Sequence, residues 1–225
     1  LGQRKEMTEN NEHKPVAEWI SYREEIRVLD CTIRDGGLMN DSKFDDDVVR
    51  GVYDACVQSG VDYMEIGYIN SREQFPPKEY GPWRHSREED IRRIVGDNDT
   101  DLKLCAMADA EKSDYKEDIL PSDQSVLDMI RIATYIHQIP LALEMIQDAH
   151  DKGYETTLNL MAASTVNDSE MDEALALLMK SQVGSVYVVD SFGSMYGEQV
   201  NFLMDKFLGF TEGTDKEIGI HCHNN

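Results

Sequence analysis

Val28-Leu29-Asp30-Cys31-Thr32-Ile33-Arg34-Asp35-Gly36-Gly37 reads as a short apolar strand that stops in an arginine, a carboxylate and two glycines. A cation beside an anion, followed by residues that let the backbone turn away, is what a site at the mouth of a sheet requires. A matching stretch lies far along the sequence: Ile218-Gly219-Ile220-His221-Cys222-His223-Asn224-Asn225. The two are expected to meet in space and jointly hold a divalent metal.

Between them the sequence keeps a rhythm. Strand-like apolar runs occupy 27–33, 63–68, 102–107, 129–134, 156–161, 185–189 and 217–221. Helical patterns separate most of them. Residues 45–59 place Val48, Val52, Ala55 and Cys56 at helical spacing, after an aspartate-rich first turn and before Gly60 as a stop. Residues 140–152 begin with proline at a first-turn position, 169–180 follow an Asn167-Asp168 cap, and 197–208 form the last helical stretch. Residues 110–124 are acidic and irregular, with only a weak helical pattern.

Strands alternating with helices predict a parallel sheet with right-handed crossovers. An open dinucleotide-binding sheet should carry Gly-x-Gly-x-x-Gly after its first strand, which Arg34-Asp35-Gly36-Gly37 does not supply. A closed TIM (β/α)8 barrel puts functional residues at the carboxyl ends of many strands, where the charged residues fall here. The expectation is therefore an α/β TIM barrel over residues 26–225. Seven strands are legible and an eighth unit is not. Residues 1–25 read as a polar extension, with a possible short helix at Ala17-Glu18-Trp19-Ile20.

Composition narrows the partners. In 225 residues, 44 acidic side chains face 22 basic ones, for a net charge of -22. Such a surface repels phosphate backbones and anionic lipid, which argues against nucleic acid and membranes. No apolar run reaches the roughly 18 residues of a membrane span. The four scattered cysteines fit reduced thiols in a cytoplasmic protein, and a homodimer is the default assembly.

Strand alternation sets His221 and His223 on one face and Cys222 on the other, packed against the helices. Two imidazoles and a carboxylate make an open divalent-metal site, with Asp35, ending another strand, as third ligand. The histidine pair alone is equally compatible with hydrogen-bonded core groups or exposed residues. Arg34 and Asp35 could likewise be a surface ion pair; in the functional alternative Asp35 binds metal and Arg34 faces a substrate carboxylate or enolate oxygen.

Glu65 and Arg131 sit inside otherwise apolar strands, where an unpaired charge is costly, so each is expected to face the lumen. With Asn159 and Asp190 they would complete a polar ring, as structural pairs or as catalytic groups. Residues 69–87 are rich in proline and aromatics and suit either a closing loop or a rigid surface loop. His85 and Tyr68 are the nearby candidates for proton transfer.

Leu29–Gly37, with Glu65-Ile66-Gly67, Asp190-Ser191-Phe192-Gly193 and His221–Asn225, resembles the metal-dependent aldolase and Claisen-condensing barrel superfamily, the HMG-CoA lyase-like group. The likeness runs from about Arg27 to Asn225. It implies a TIM barrel with Mn2+ or Mg2+ held by Asp35, His221 and His223, and catalytic roles for Arg34, Glu65 and Arg131. Arg131-Ile132-Ala133-Thr134 resembles the 4-hydroxy-2-oxovalerate aldolase branch. The implied activity is cleavage of a 4-hydroxy-2-oxo acid to pyruvate and an aldehyde through an enolate. That branch carries a histidine shortly after Arg-Asp-Gly, where this sequence has Leu38-Met39. Two alternatives stand beside it: a synthase joining an acyl-CoA to a 2-oxo acid, and a non-catalytic metal-binding homologue.

Overall fold

The computed structural model describes Arg23 and residues 25–223. The short helix expected at Ala17–Ile20 lies outside these residues, as do Asn224 and Asn225. Seven strands form one parallel sheet in sequence order: β1 (Leu29–Asp30), β2 (Tyr63–Tyr68), β3 (Lys103–Asp109), β4 (Met129–Thr134), β5 (Glu155–Leu160), β6 (Ser185–Asp190) and β7 (Glu217–Cys222). The helices are α1 (Thr32–Gly36), α2 (Asp46–Ser59), α3 (Glu88–Val95), α4 (Tyr115–Asp118), α5 (Ile139–Asp151), α6 (Asp168–Leu178) and α7 (Gly197–Thr211).

The sheet curls until its two edges approach. The Arg27 guanidinium, just before β1, bonds the Glu217 carboxylate that opens β7, and the Cys31 thiol lies 4.0 Å from His221 Nδ1. Among the described residues no backbone pairing joins β1 to β7.

Strand alternation sorts the side chains into two populations. Met64, Ile66, Leu104, Ala106, Ile130, Ile132, Leu158, Leu160, Val186 and Val188 pack outward against the helices in one continuous core. Each large side chain buried there contributes about 1.5–3 kcal/mol over leaving it in water. The opposite face carries Tyr63, Cys105, Met129 and Tyr68, Met107, Ala133 as small apolar clusters, with the charged groups between them. A register shift between Glu65 and Gly67 lets both Glu65 and Tyr68 face inward although they are three residues apart. Small and large residues share the inner space. A Cβ on Gly219 would land on the ring carbons of Tyr187, one strand over.

Three details depart from the sequence expectation. The first strand ends at Asp30, not Ile33, because the Asp30 carboxylate accepts from the Thr32 N–H (3.0 Å) and hydroxyl (2.8 Å) and opens a helical turn. Arg34 and Asp35 therefore sit on α1, not at a strand end. In α2 the buried stripe is Val49, Tyr53 and Cys56, while Val48 faces solvent. α3 was not legible as a helix: of its eight residues, Glu88, Glu89, Asp90, Arg92 and Arg93 are charged.

Residues 69–87 pack as a fixed loop. Trp83 is fully buried, and the Arg84 guanidinium lies over the rings of Tyr68, Phe75 and Tyr80 at 4.6–5.3 Å. Gly81 must be glycine, since a Cβ there would strike the Ser42 backbone, and its N–H donates to the Asp41 carbonyl (2.8 Å). This backbone-to-backbone contact docks the loop on the turn that follows α1.

Candidate metal centre and its arginine cluster

α1 and β7 bring three ligand groups together at the C-terminal mouth of the sheet. Asp35 Oδ2 lies 3.8 Å from His221 Nε2 and 3.6 Å from His223 Nε2, and the three ligand atoms fall within 4.8 Å of one another. Two ligands each ~2.1 Å from one ion stand about 3–4 Å apart, so the spacing matches a shared divalent ion better than direct hydrogen bonds. His221 Nε2 is buried and has no hydrogen-bond partner among the described residues. His223 Nδ1 is 3.1 Å from the Ser191 carbonyl. Only an N–H makes that contact, so Nδ1 carries the proton and Nε2 keeps its lone pair free for an ion.

The His221 pKa is pushed down to about 4, chiefly by burial, with Arg34, Arg131 and His223 adding and Asp35 opposing. The ring is neutral near pH 7, as a ligand must be. These donors fit a divalent cation: one carboxylate oxygen, two neutral imidazole nitrogens and an orphaned buried lone pair.

Beneath the triad lies a buried ionic cluster. Glu65 Oε2 accepts from Arg34 Nε (2.6 Å) and lies 2.8 Å from Arg131 Nη1. Arg34 Nη1 donates to Asp35 Oδ1 (2.6 Å), leaving Oδ2 for the histidine side. Arg131 Nη2 donates to Asn159 Oδ1 (3.0 Å), and its guanidinium lies 4.7 Å from the Tyr187 ring centroid. Glu65 and Arg131 are fully buried, and Arg34 is nearly so. Burial alone would neutralise the Glu65 carboxylate, but Arg131 and Arg34 outweigh it and hold its pKa below the usual range. Burial likewise opposes the Arg34 charge, and Glu65, Tyr68, Cys31 and Asp35 together more than restore it.

Two arginines share one carboxylate, and the sharing is incomplete. Arg34 Nη2, Glu65 Oε1 and Arg131 Nε are buried with no hydrogen-bond partner. A buried unsatisfied donor costs about 1–3 kcal/mol, so Arg34 Nη2 could donate to an anionic oxygen without giving up a bond it already makes.

The structure therefore brings together Arg34, Asp35, Glu65, Arg131, Asn159, His221 and His223. Asp190 does not join them. It takes the outward parity of β6 and accepts from the Ser194 (3.2 Å) and Met195 (3.0 Å) N–H groups, holding the turn after β6. Cys222, expected to pack against helices, is exposed. His85 bonds the Asn70 carbonyl (2.9 Å) and lines a cavity with Leu127, Ile130 and Tyr154, on the helix side of the sheet. Tyr68 is on the inner face beside Arg34, but burial pushes its phenol up to about 12.

Sequence reasoning missed Asp109. It ends β3 on the inner parity of Lys103, Cys105 and Met107, and is 8% exposed. The signal was present: an acidic residue two positions past an inward methionine at the carboxyl end of a strand.

No protein-family model matches the chain. Among curated proteins it is 27% identical over 203 residues to 4-hydroxy-2-oxovalerate aldolase 3 of Rhodococcus opacus, covering 89% of this chain and 58% of that protein. It is 28% identical over 209 residues to an oxaloacetate decarboxylase of Mycobacterium tuberculosis, covering 91% and 58%. The chain thus spans under two thirds of the length of these relatives. The HMG-CoA lyase of Bacillus subtilis superposes with a TM-score of 0.69 at 14% identity, over 91% of this chain and 70% of that one. In sequence the chain thus resembles aldolases and decarboxylases of the HMG-CoA lyase-like group, and its curled parallel sheet is the fold it shares with the Bacillus subtilis lyase.

Proposed function

We propose that this chain carries the active site of a divalent-metal-dependent carbon–carbon lyase, cleaving a 4-hydroxy-2-oxo acid to pyruvate and an aldehyde. The observation that carries the reading is the juxtaposition of an unpartnered ligand atom, His221 Nε2, with an unpartnered buried donor, Arg34 Nη2. Asp35, His221 and His223 would hold the ion, with Mn2+ or Mg2+ suited to a mixed oxygen and nitrogen set. When bound, it supplies Lewis acidity to the 2-oxo acid's carbonyl.

The chain's own residues do the rest. Arg34 Nη2 donates to the oxygen that gains charge as the carbon–carbon bond breaks, inside a site where a preorganised donor acts at low dielectric. Glu65 fixes both guanidiniums, and the Arg34–Asp35 bond ties the donor to the ligand carboxylate. Arg131 and Asn159 keep the pocket floor polar yet closed to water.

The fold reading extends in the same direction. In this reading the seven strands belong to a TIM barrel over residues 26–225, and an eighth unit would close the gap between β1 and β7. Residues 1–25 are its extension, and a cytoplasmic homodimer completes the reading. No described helix is long and apolar enough to cross a membrane. The relative at 28% identity favours a second reaction of the same enolate, decarboxylation of oxaloacetate.

Proton NMR of pyruvate in D2O, with and without sub-stoichiometric Mn2+, tests the site directly. Metal-dependent loss of the methyl signal, absent in Asp35→Asn, is expected. A protein that binds Mn2+ yet exchanges no methyl protons and cleaves no 4-hydroxy-2-oxo acid overturns it.

A further inference from the structure

Carbon–carbon cleavage of a 4-hydroxy-2-oxo acid needs a group to take the hydroxyl proton, and most titratable side chains at the mouth are committed elsewhere. Asp35, His221 and His223 point their free atoms at one another. Glu65 is held by two guanidiniums. The Cys31 thiol is pushed up to about 11 by burial and by Glu65, and the Tyr68 phenol to about 12, so both stay protonated near neutrality.

Asp109 is different. It stands at the carboxyl end of β3 on the inner face, paired in register with Ala133 and one step above Met107, which pairs with Arg131. Its Oδ2 accepts from the Asn70 amide (3.0 Å), and Asn70 Oδ1 in turn accepts from the Ser113 hydroxyl (3.2 Å). No ion pair reaches it among the described residues, and Oδ1 has no hydrogen-bond partner. The charged groups around it are Lys112 from the following loop, Arg84 from residues 69–87 and Arg34 from α1, with the Tyr68 phenol from β2.

Resting on the lyase reading, we propose that Asp109 is the proton acceptor for the substrate's C4 hydroxyl. The proton passes from that hydroxyl to Asp109 Oδ1 as the C3–C4 bond breaks. The oxygen's electrons form the aldehyde carbonyl, and the bond pair becomes the enolate of pyruvate. The protonated Asp109 then returns the proton to C3, giving the methyl group and restoring the carboxylate. Burial raises the Asp109 pKa, with Asn70 opposing, which suits a group that must both take and give a proton.

Oxaloacetate decarboxylation makes the same enolate with no hydroxyl proton to remove, and that enolate takes its C3 proton from solvent, so the reaction serves as an internal control. Both rates are measured on the Mn2+-loaded protein with 4-hydroxy-2-oxopentanoate and oxaloacetate. Asp109→Asn is expected to lower cleavage at least ~100-fold, leave decarboxylation within about threefold, and remove the acid limb of the cleavage pH profile. Asn70→Ala, which takes away the hydrogen bond holding the carboxylate down, should move that limb to higher pH. Unchanged cleavage in Asp109→Asn, or an equal fall in both reactions, overturns the assignment. A wild-type protein that decarboxylates but does not cleave overturns Asp109 and the 4-hydroxy-2-oxo acid as substrate while leaving the metal–enolate site standing, and one that does neither overturns the lyase reading as a whole.

Discussion

At the amino-terminal rim of the sheet, Arg27, Lys103, Glu155 and Glu217 have all found neighbours. Arg27 donates to the Tyr63 hydroxyl (2.9 Å) and bonds Glu217, while Tyr63 donates to Glu155 (2.9 Å), which also takes Lys103. The four charged side chains are roughly half exposed. At the carboxyl mouth the same chemical types are buried and left partly unpaired: Arg34 Nη2, Glu65 Oε1 and His221 Nε2. Water could satisfy the first rim at little cost, and protein does so instead. Water is kept from the second, and nothing else in the protein fills its places. Under the proposed function a ligand would complete the set, so that one rim closes the sheet and the other serves the chemistry.

Substitutions can break this contrast. Glu65→Ala leaves the Arg131 guanidinium buried without a counter-charge and Arg34 with Asp35 alone, and should cost about 3–5 kcal/mol, read as a lower urea midpoint in the metal-free protein. A loss below about 1 kcal/mol would mean that the mouth is as well hydrated as the opposite rim.

The next effect depends on pH. Folding lowers the His221 pKa from an ordinary 6.5 to about 4, so between those values the unfolded chain binds more protons than the folded one. Stability of the metal-free protein is then full above pH 6.5 and falls as the pH drops towards about 4. His221→Asn should flatten that slope in a series of unfolding curves. An unchanged slope would assign it to other groups. The smallest effect belongs to the amino-terminal rim: Arg27→Ala should shift stability by under about 1 kcal/mol, and less still in high salt.

Much of this was legible because buried parallel strands are written as apolar runs. β2 and β4 begin and end where their runs do, and a charge inside such a run, Glu65 or Arg131, has to face the lumen. The histidine pair was legible through strand parity. What escaped had a local cause. The Asp30 side chain ends β1 early through two bonds to Thr32, a competition that hydrophobicity does not record. α3 hides because Ile91, Ile94 and Val95 are its only apolar residues. Asp190 looked like a site residue because it ends an apolar strand, yet its parity is outward and it accepts from backbone. Asp109 was passed over because the apolar run reads as ending at residue 107, two short of the strand's end, although parity alone separates it from Asp190.

Gly219 and Tyr187 occupy a single side chain's worth of space between β6 and β7, with Arg131 resting on the Tyr187 ring. The two positions are therefore not free to drift independently. Across descendants of this sequence, any gain of a side chain at 219 should travel with a smaller residue at 187, and the pair should covary more tightly than either does with its sequence neighbours. A glycine in an edge strand thus fixes the choice of an aromatic on the next strand, and through it the footing of a guanidinium two strands further on.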